Sequence, residues 1–185
     1  MISCSEVDAI NQDTLVVPFE RDKSHYLFNY ILVNNLGDRV KVQPNRSQFK
    51  IKLSGSAKTI RDQLYTQGDK VFTKLFGTDV LNHKSLIVTI CLFGTRKIEG
   101  ISVSTNVNKD YLKTLCYCAA NILDHAITPG KGNWKISDVS SFYEKIIHRT
   151  TSLESSTIAT YLNNNEKDYL SNKLDVGHWR TACEN

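Results

Sequence analysis

Acidic residues are missing from a long stretch of this chain. Between Arg39 and Arg61 there is no Asp or Glu, yet seven cationic residues fall there: Arg39, Lys41, Arg46, Lys50, Lys52, Lys58 and Arg61. A run without internal counterions favours an anionic partner. The plain alternative is a solvated sheet face. From Asp138 onward acids outnumber bases seven to five, so the net charge of +4 is concentrated in the first two thirds of the chain.

Long apolar runs are also lacking. None approaches the ~18 residues needed to span a bilayer, and the opening "MISCSEVDAINQD" has acids where an export signal needs a basic flank and an apolar stretch. The expectation is a soluble intracellular protein, cytoplasmic or nuclear. The five cysteines (Cys4, Cys91, Cys116, Cys118 and Cys183) are odd in number and show no disulfide spacing, which points to a reducing compartment. Cys116 and Cys118 are two apart on a helical pattern and face different ways. His178 and Cys183 make a poor ligand set, so no metal is expected. No Gly-rich phosphate loop, paired carboxylates, or Ser/His/Asp or Cys/His set stands out. The chain therefore reads as a non-enzyme without a cofactor.

What is present is a mixed pattern with an apolar fraction of 41 %, ample for a folded core. "HYLFNYILVNNLGDRVKVQ" reads as two strands around a turn at residues 34–38. "QFKIKLSG" alternates strictly, with Phe49, Ile51 and Leu53 on one face and Lys50 and Lys52 on the other. A helix begins after Ser56 and breaks at Gly68. Ser85 to Phe93 reads as an apolar strand, and Arg96 to Ser104 as its hairpin partner. Asn108 caps a strong helix that runs to about Ile127, and Pro129-Gly130-Lys131-Gly132 ends it. The remainder, from "WKISDVSSFYEKIIHRT" onward, has helical spacing. The expected class is α+β: an antiparallel sheet packed against helices in an α-β-β-β-α core, with an N-terminal β meander and a helical C-terminal tail. Three segments are expected, a basic β-rich segment at 1–55, a central domain at 56–128 and a helical extension at 133–185.

The central order of helix, three strands and helix resembles the double-stranded-RNA-binding domain. "KTIRDQL" is similar to that family's first helix and "VFTKLFG" to its first strand. "TDVLNHKS" is similar to its His-bearing loop, "LIVTICLFGTRKIEGISV" to its second and third strands, and "NKDYLKTLCYCAANIL" to its Lys-led second helix. Asp110 stands where the family usually has a third Lys, and the family's glycines before that helix are absent. The resemblance covers roughly a third of the chain, and no second copy of any unit is visible.

The resemblance implies sequence-independent binding of double-stranded RNA, read through the shape of an A-form duplex, in RNA processing, silencing or its suppression. Thr59 and Gln63 would face one minor groove, and His83 and Lys84 the next. Lys109 and Lys113, one helical turn apart, would clamp the phosphates between. Arg96 and Lys97 would either add phosphate contacts or keep a turn soluble. The second expectation is a protein-interaction or dimerisation subunit of an RNA-associated complex. It would use the same fold without RNA, forming a homodimer or meeting a protein partner through the C-terminal helices.

Overall fold

The computed structural model describes residues 5–66 and 69–174. Cys4, Gly68, His178 and Cys183, singled out above, lie outside the described residues. The class is α+β, with eight α-helices and two four-stranded antiparallel sheets among the described residues.

The first sheet comes from the N-terminal third. β1 (Glu6–Val7) pairs with β2 (Thr14–Pro18), helix α1 (Ser24–Val33) follows, and β3 (Val40–Gln43) pairs with β4 (Gln48–Lys52). The order across the sheet is β1-β2-β4-β3. Helix α2 (Ser56–Leu64), the short hairpin β5 (Tyr65–Thr66) and β6 (Asp69–Lys70), and α3 (Lys74–Val80) lead onward to α4 (His83–Phe93). The second sheet repeats the plan of the first. β7 (Gly94–Lys97) and β8 (Gly100–Ser104), then α5 (Lys109–Leu123), then β9 (Ile127–Pro129) and β10 (Asn133–Ile136), give the order β7-β8-β10-β9. Helices α6 (Val139–Ile146), α7 (Ser152–Ala159) and α8 (Asn164–Lys173) complete the chain. Each sheet is thus two hairpins joined by a helix, in one shared strand order. The duplication is one of topology, which is why no repeat is legible in the letters.

Strand alternation sets which face is dry. Leu15 and Val17 on β2 and Phe49 on β4 point into the core, as do Ile101 and Val103 on β8 and Trp134 and Ile136 on β10. These side chains belong to a single apolar cluster with the stripes of α4, α5 and α6. Each sheet therefore has one face on the helices and one facing outward.

Three segments expected as strands are helices. "SLIVTICLF" is rich in β-branched residues, but it forms α4, in which every residue from Leu86 to Phe93 is buried. Its start is fixed by reciprocal hydrogen bonds between Asn82 and Ser85, a capping box. A continuous apolar run carries no periodicity, so burial on all sides decides the conformation over β-propensity. "VFTKLFG" is mostly α3, capped by the Thr73 hydroxyl accepting from the Phe76 amide at 3.1 Å. "HYLFNYILV" is mostly α1, where Tyr26 and Leu27 are buried and Tyr30 and Ile31 pack one turn further on. The Pro129–Gly132 segment is not a linker but the connection between β9 and β10. The hairpin expected between 85–93 and 96–104 is instead formed by Gly94–Lys97 and Gly100–Ser104, with Arg96 and Lys97 inside β7. The helix expected to reach about Ile127 ends at Leu123, because Ile127 opens β9, and the helical spacing after 138 is borne out by α6, α7 and α8.

The β7–β8 turn depends on one glycine. Gly100 has φ of +134°, and a Cβ there would run into the Ile136 carbonyl oxygen of the neighbouring strand. Gly100→Ala is expected to lower stability by at least about 2 kcal/mol, from backbone strain together with overpacking. Chemical denaturation checks this, and an unchanged midpoint would contradict the close approach.

Candidate nucleic-acid interface

The outward face of the first sheet carries the acid-free stretch. Strand register puts Lys41 directly opposite Lys50 and Gln43 opposite Gln48. One step along, the Lys52 amide donates to the Arg39 carbonyl at 2.8 Å, bringing Arg39 beside Lys52. The two strands therefore present a ladder of three rungs, Arg39/Lys52, Lys41/Lys50 and Gln43/Gln48. The glutamines are joined by a hydrogen bond from Gln48 Nε2 to Gln43 Oε1 at 2.7 Å. Like charges directly opposite on paired strands are destabilising, so the cationic rungs cost stability that an anionic ligand can return.

Part of that charge is already compensated. Lys50 forms an ion pair with Asp8, and this partner holds the Asp8 carboxyl below its ordinary value of 3.8. Lys58 pairs with Asp13 at 2.6 Å. Arg39, Lys41, Arg46 and Lys52 are exposed and take part in none of the ion pairs among the described residues.

The second sheet turns a different chemistry outward. Across its strands Thr95, Ser102, Lys135 and Thr128 form one row, and Ser104 stands opposite Asn133. Lys135 pairs with Glu99 at 3.2 Å. Lys97, at the hairpin end, is exposed.

The two outward faces meet. Val16, Pro18 and Gln48 of the first sheet line a groove of about 430 Å³ together with Glu6, and with Phe93, Ser104, Thr105 and Asn106 from the second half. Beneath this junction Lys70, almost fully buried, donates to the Asn106 side chain and to the Ser5 carbonyl. The Tyr65 hydroxyl donates to the same carbonyl at 2.6 Å. These bonds fasten Ser5, just ahead of β1, to the loop leading into α5, beside the groove that both sheets line.

The sequence-derived candidates lie elsewhere, with one exception. Thr59 and Gln63 are exposed on α2, and Lys109 and Lys113 are exposed on α5, whose other side covers the inner face of the second sheet. His83 and Lys84 open α4. Burial, and then nearby Arg149, push the His83 imidazole below its ordinary value. Lys97 alone belongs to an outward sheet edge. Its neighbour Arg96 is committed to the fold: it donates to both Glu166 carboxylate oxygens at 3.0–3.2 Å and to the Tyr161 carbonyl at 3.1 Å. Arg96 thus ties β7 to α8. Arg96→Ala is expected to cost about 1–2 kcal/mol of stability, within the range for charge-assisted hydrogen bonds. Ligand affinity should stay unchanged at temperatures where the variant is folded. A Tm measured beside a binding titration separates the two roles.

The same corner holds a second buried cation. Lys23 donates to the Tyr161 hydroxyl at 3.0 Å and lies 4.5 Å from that ring's centre. The Tyr161 hydroxyl in turn reaches the carbonyls of Ile90 and Gly94 at 3.2 and 3.0 Å. The otherwise unpaired C-terminal end of α4 is thereby closed, and the position of β7, which follows it directly, is fixed.

No family model matches the chain, and no curated protein matches it in sequence. Its fold is shared with a solved structure, the homing endonuclease I-WcaI bound to its DNA recognition sequence. The TM-score is 0.54 at 10 % identity, covering 91 % of this chain and 81 % of that one. At that identity the likeness is one of fold. It overturns the resemblance to the double-stranded-RNA-binding domain, and with it the expected RNA partner, the role in RNA silencing and the RNA-associated interaction subunit. It also removes the ground for expecting that the chain is not an enzyme, since the protein that shares this fold is a homing endonuclease. Among the described residues no helix is long and apolar enough to cross a membrane, and no three His, Cys, Asp or Glu side chains group as metal ligands.

Proposed function

We propose that this protein binds double-stranded DNA through the joined outward faces of its two sheets. The observation that carries the reading is the cross-strand ladder of Arg39, Lys41, Lys50 and Lys52, ending in the paired amides of Gln43 and Gln48. The cations suit phosphates. The amides and hydroxyls suit base edges, which B-form DNA offers in a major groove wide enough to admit β-strands. An A-form RNA duplex closes that groove to side chains, so a sheet face favours DNA over RNA. The shared fold with a DNA-bound endonuclease supports the same choice. Cys91, Cys116 and Cys118 are buried free thiols, which fits a reducing intracellular compartment.

A mobility-shift titration with a 30-base-pair DNA duplex, the same sequence as duplex RNA and one isolated strand tests the proposal. The expected result is preferential retention of duplex DNA, weakening steeply with salt. Equal retention of all three, or retention of the RNA duplex alone, would contradict it.

A further inference from the structure

The two sheets share a strand order but not a surface, and that difference has a consequence for recognition. The inference rests on the DNA-binding reading above. We infer that the two sheets divide recognition unequally. The first sheet supplies most of the electrostatic affinity and reads adenines in one half of the site, and the second makes lighter hydroxyl contacts to the other half.

The argument compares equivalent strands. In the first sheet the β3–β4 hairpin exposes Arg39, Lys41 and Lys52 with no ion-pair partner among the described residues, and adds Gln43 and Gln48. In the second sheet the equivalent β9–β10 hairpin contributes Thr128, Asn133 and Lys135 from its strands, with Lys135 already matched by Glu99, and its one further cation is Lys131 in the turn. The cations serve the phosphates, and glutamine recognises N6 and N7 of adenine. Serine and threonine accept any of several base edges and discriminate less. Because strand order is the same in both halves, the imbalance comes from side chains rather than architecture. The preferred DNA site is therefore asymmetric: one half constrained to adenine where Gln43 and Gln48 reach the bases, the other permissive.

Selection from a pool of duplexes randomised over 30 base pairs, using the full chain, tests this directly. The expected product is a motif with most of its information in one half. Gln43→Ala with Gln48→Ala should erase the adenine preference in that half. Ser102→Ala with Thr128→Val should leave that half intact and relax only the weaker one. In a salt titration, Lys41→Ala with Lys52→Ala should reduce the log–log slope by about 1.8, two phosphates' worth at ~0.9 each, whereas Lys135→Ala changes it by well under ~0.9. A palindromic motif with equal information in both halves would overturn the inference and leave DNA binding standing. So would a constrained half that survives loss of both glutamines. A pool with no duplex retained above background would overturn the DNA-binding reading itself, and this inference with it.

Discussion

Lys41→Glu combined with Lys52→Glu is expected to weaken duplex-DNA binding by at least ~100-fold at about 0.15 M salt, while Tm stays the same or rises. The opposite signs follow from one geometry. Lys41 faces Lys50 across the ladder, and Lys52 lies beside Arg39. Each substitution replaces a like-charge neighbour with an opposite-charge one, worth roughly 0.2–1 kcal/mol in favour of the folded state. Each also removes a cation and adds an anion where phosphates are to be held, changing the charge of the face by about four units in all. A residue that served only to solvate the sheet would show the stability effect without the loss of binding. Loss of binding accompanied by loss of stability would instead mean that the lysines support the fold.

The second large effect is in the core. Trp134 is 1 % exposed, at the centre of β10 between the second sheet and its helices. Trp134→Ala is expected to cost about 3–5 kcal/mol, lowering Tm by roughly 6–20 °C in a domain of this size. Its indole Nε1 has no hydrogen-bond partner among the described residues, so Trp134→Phe should lose volume without breaking a polar contact and be clearly milder than Trp134→Ala. Differential scanning calorimetry of the two variants checks the order. Equal losses would mean that the indole nitrogen is engaged.

These two residues show how unevenly the chain can be read. The Lys50/Lys52 strand was legible because one of its faces is wet and the other dry, so apolar and charged residues alternate along it. Its basic neighbours were legible too, since a charge run needs no structure to be seen. What could not be read was its partner: the pairing of Lys41 with Lys50 is a long-range register fact that no local pattern encodes. Trp134 was read into a helix because the apolar residues after it have helical spacing, although β10 ends at Ile136 before α6 begins at Val139. The wholly buried α4 was misread for the converse reason, since a helix with no wet face leaves no period to detect. That misreading produced the three-strand centre and, through it, the resemblance to an RNA-binding domain. With α4 as a helix, the same residues fall into the second copy of a two-hairpin unit, and the expected site on Lys109 and Lys113 gives way to a sheet surface. The hydroxyl row Thr95, Ser102 and Thr128 was invisible, because isolated Ser and Thr in a sequence carry no signal until the register lines them up.

Photo-crosslinking tests the central claim most directly. A benzophenone side chain is placed in turn at Gln48, Ser102 and Lys113, and each protein is irradiated with the same DNA duplex under conditions of equal folding. The expected result is covalent DNA adducts from positions 48 and 102, one on each sheet, and none from position 113 on α5. Adducts from position 113 with none from the two strands would contradict it, and would return the binding surface to the helices.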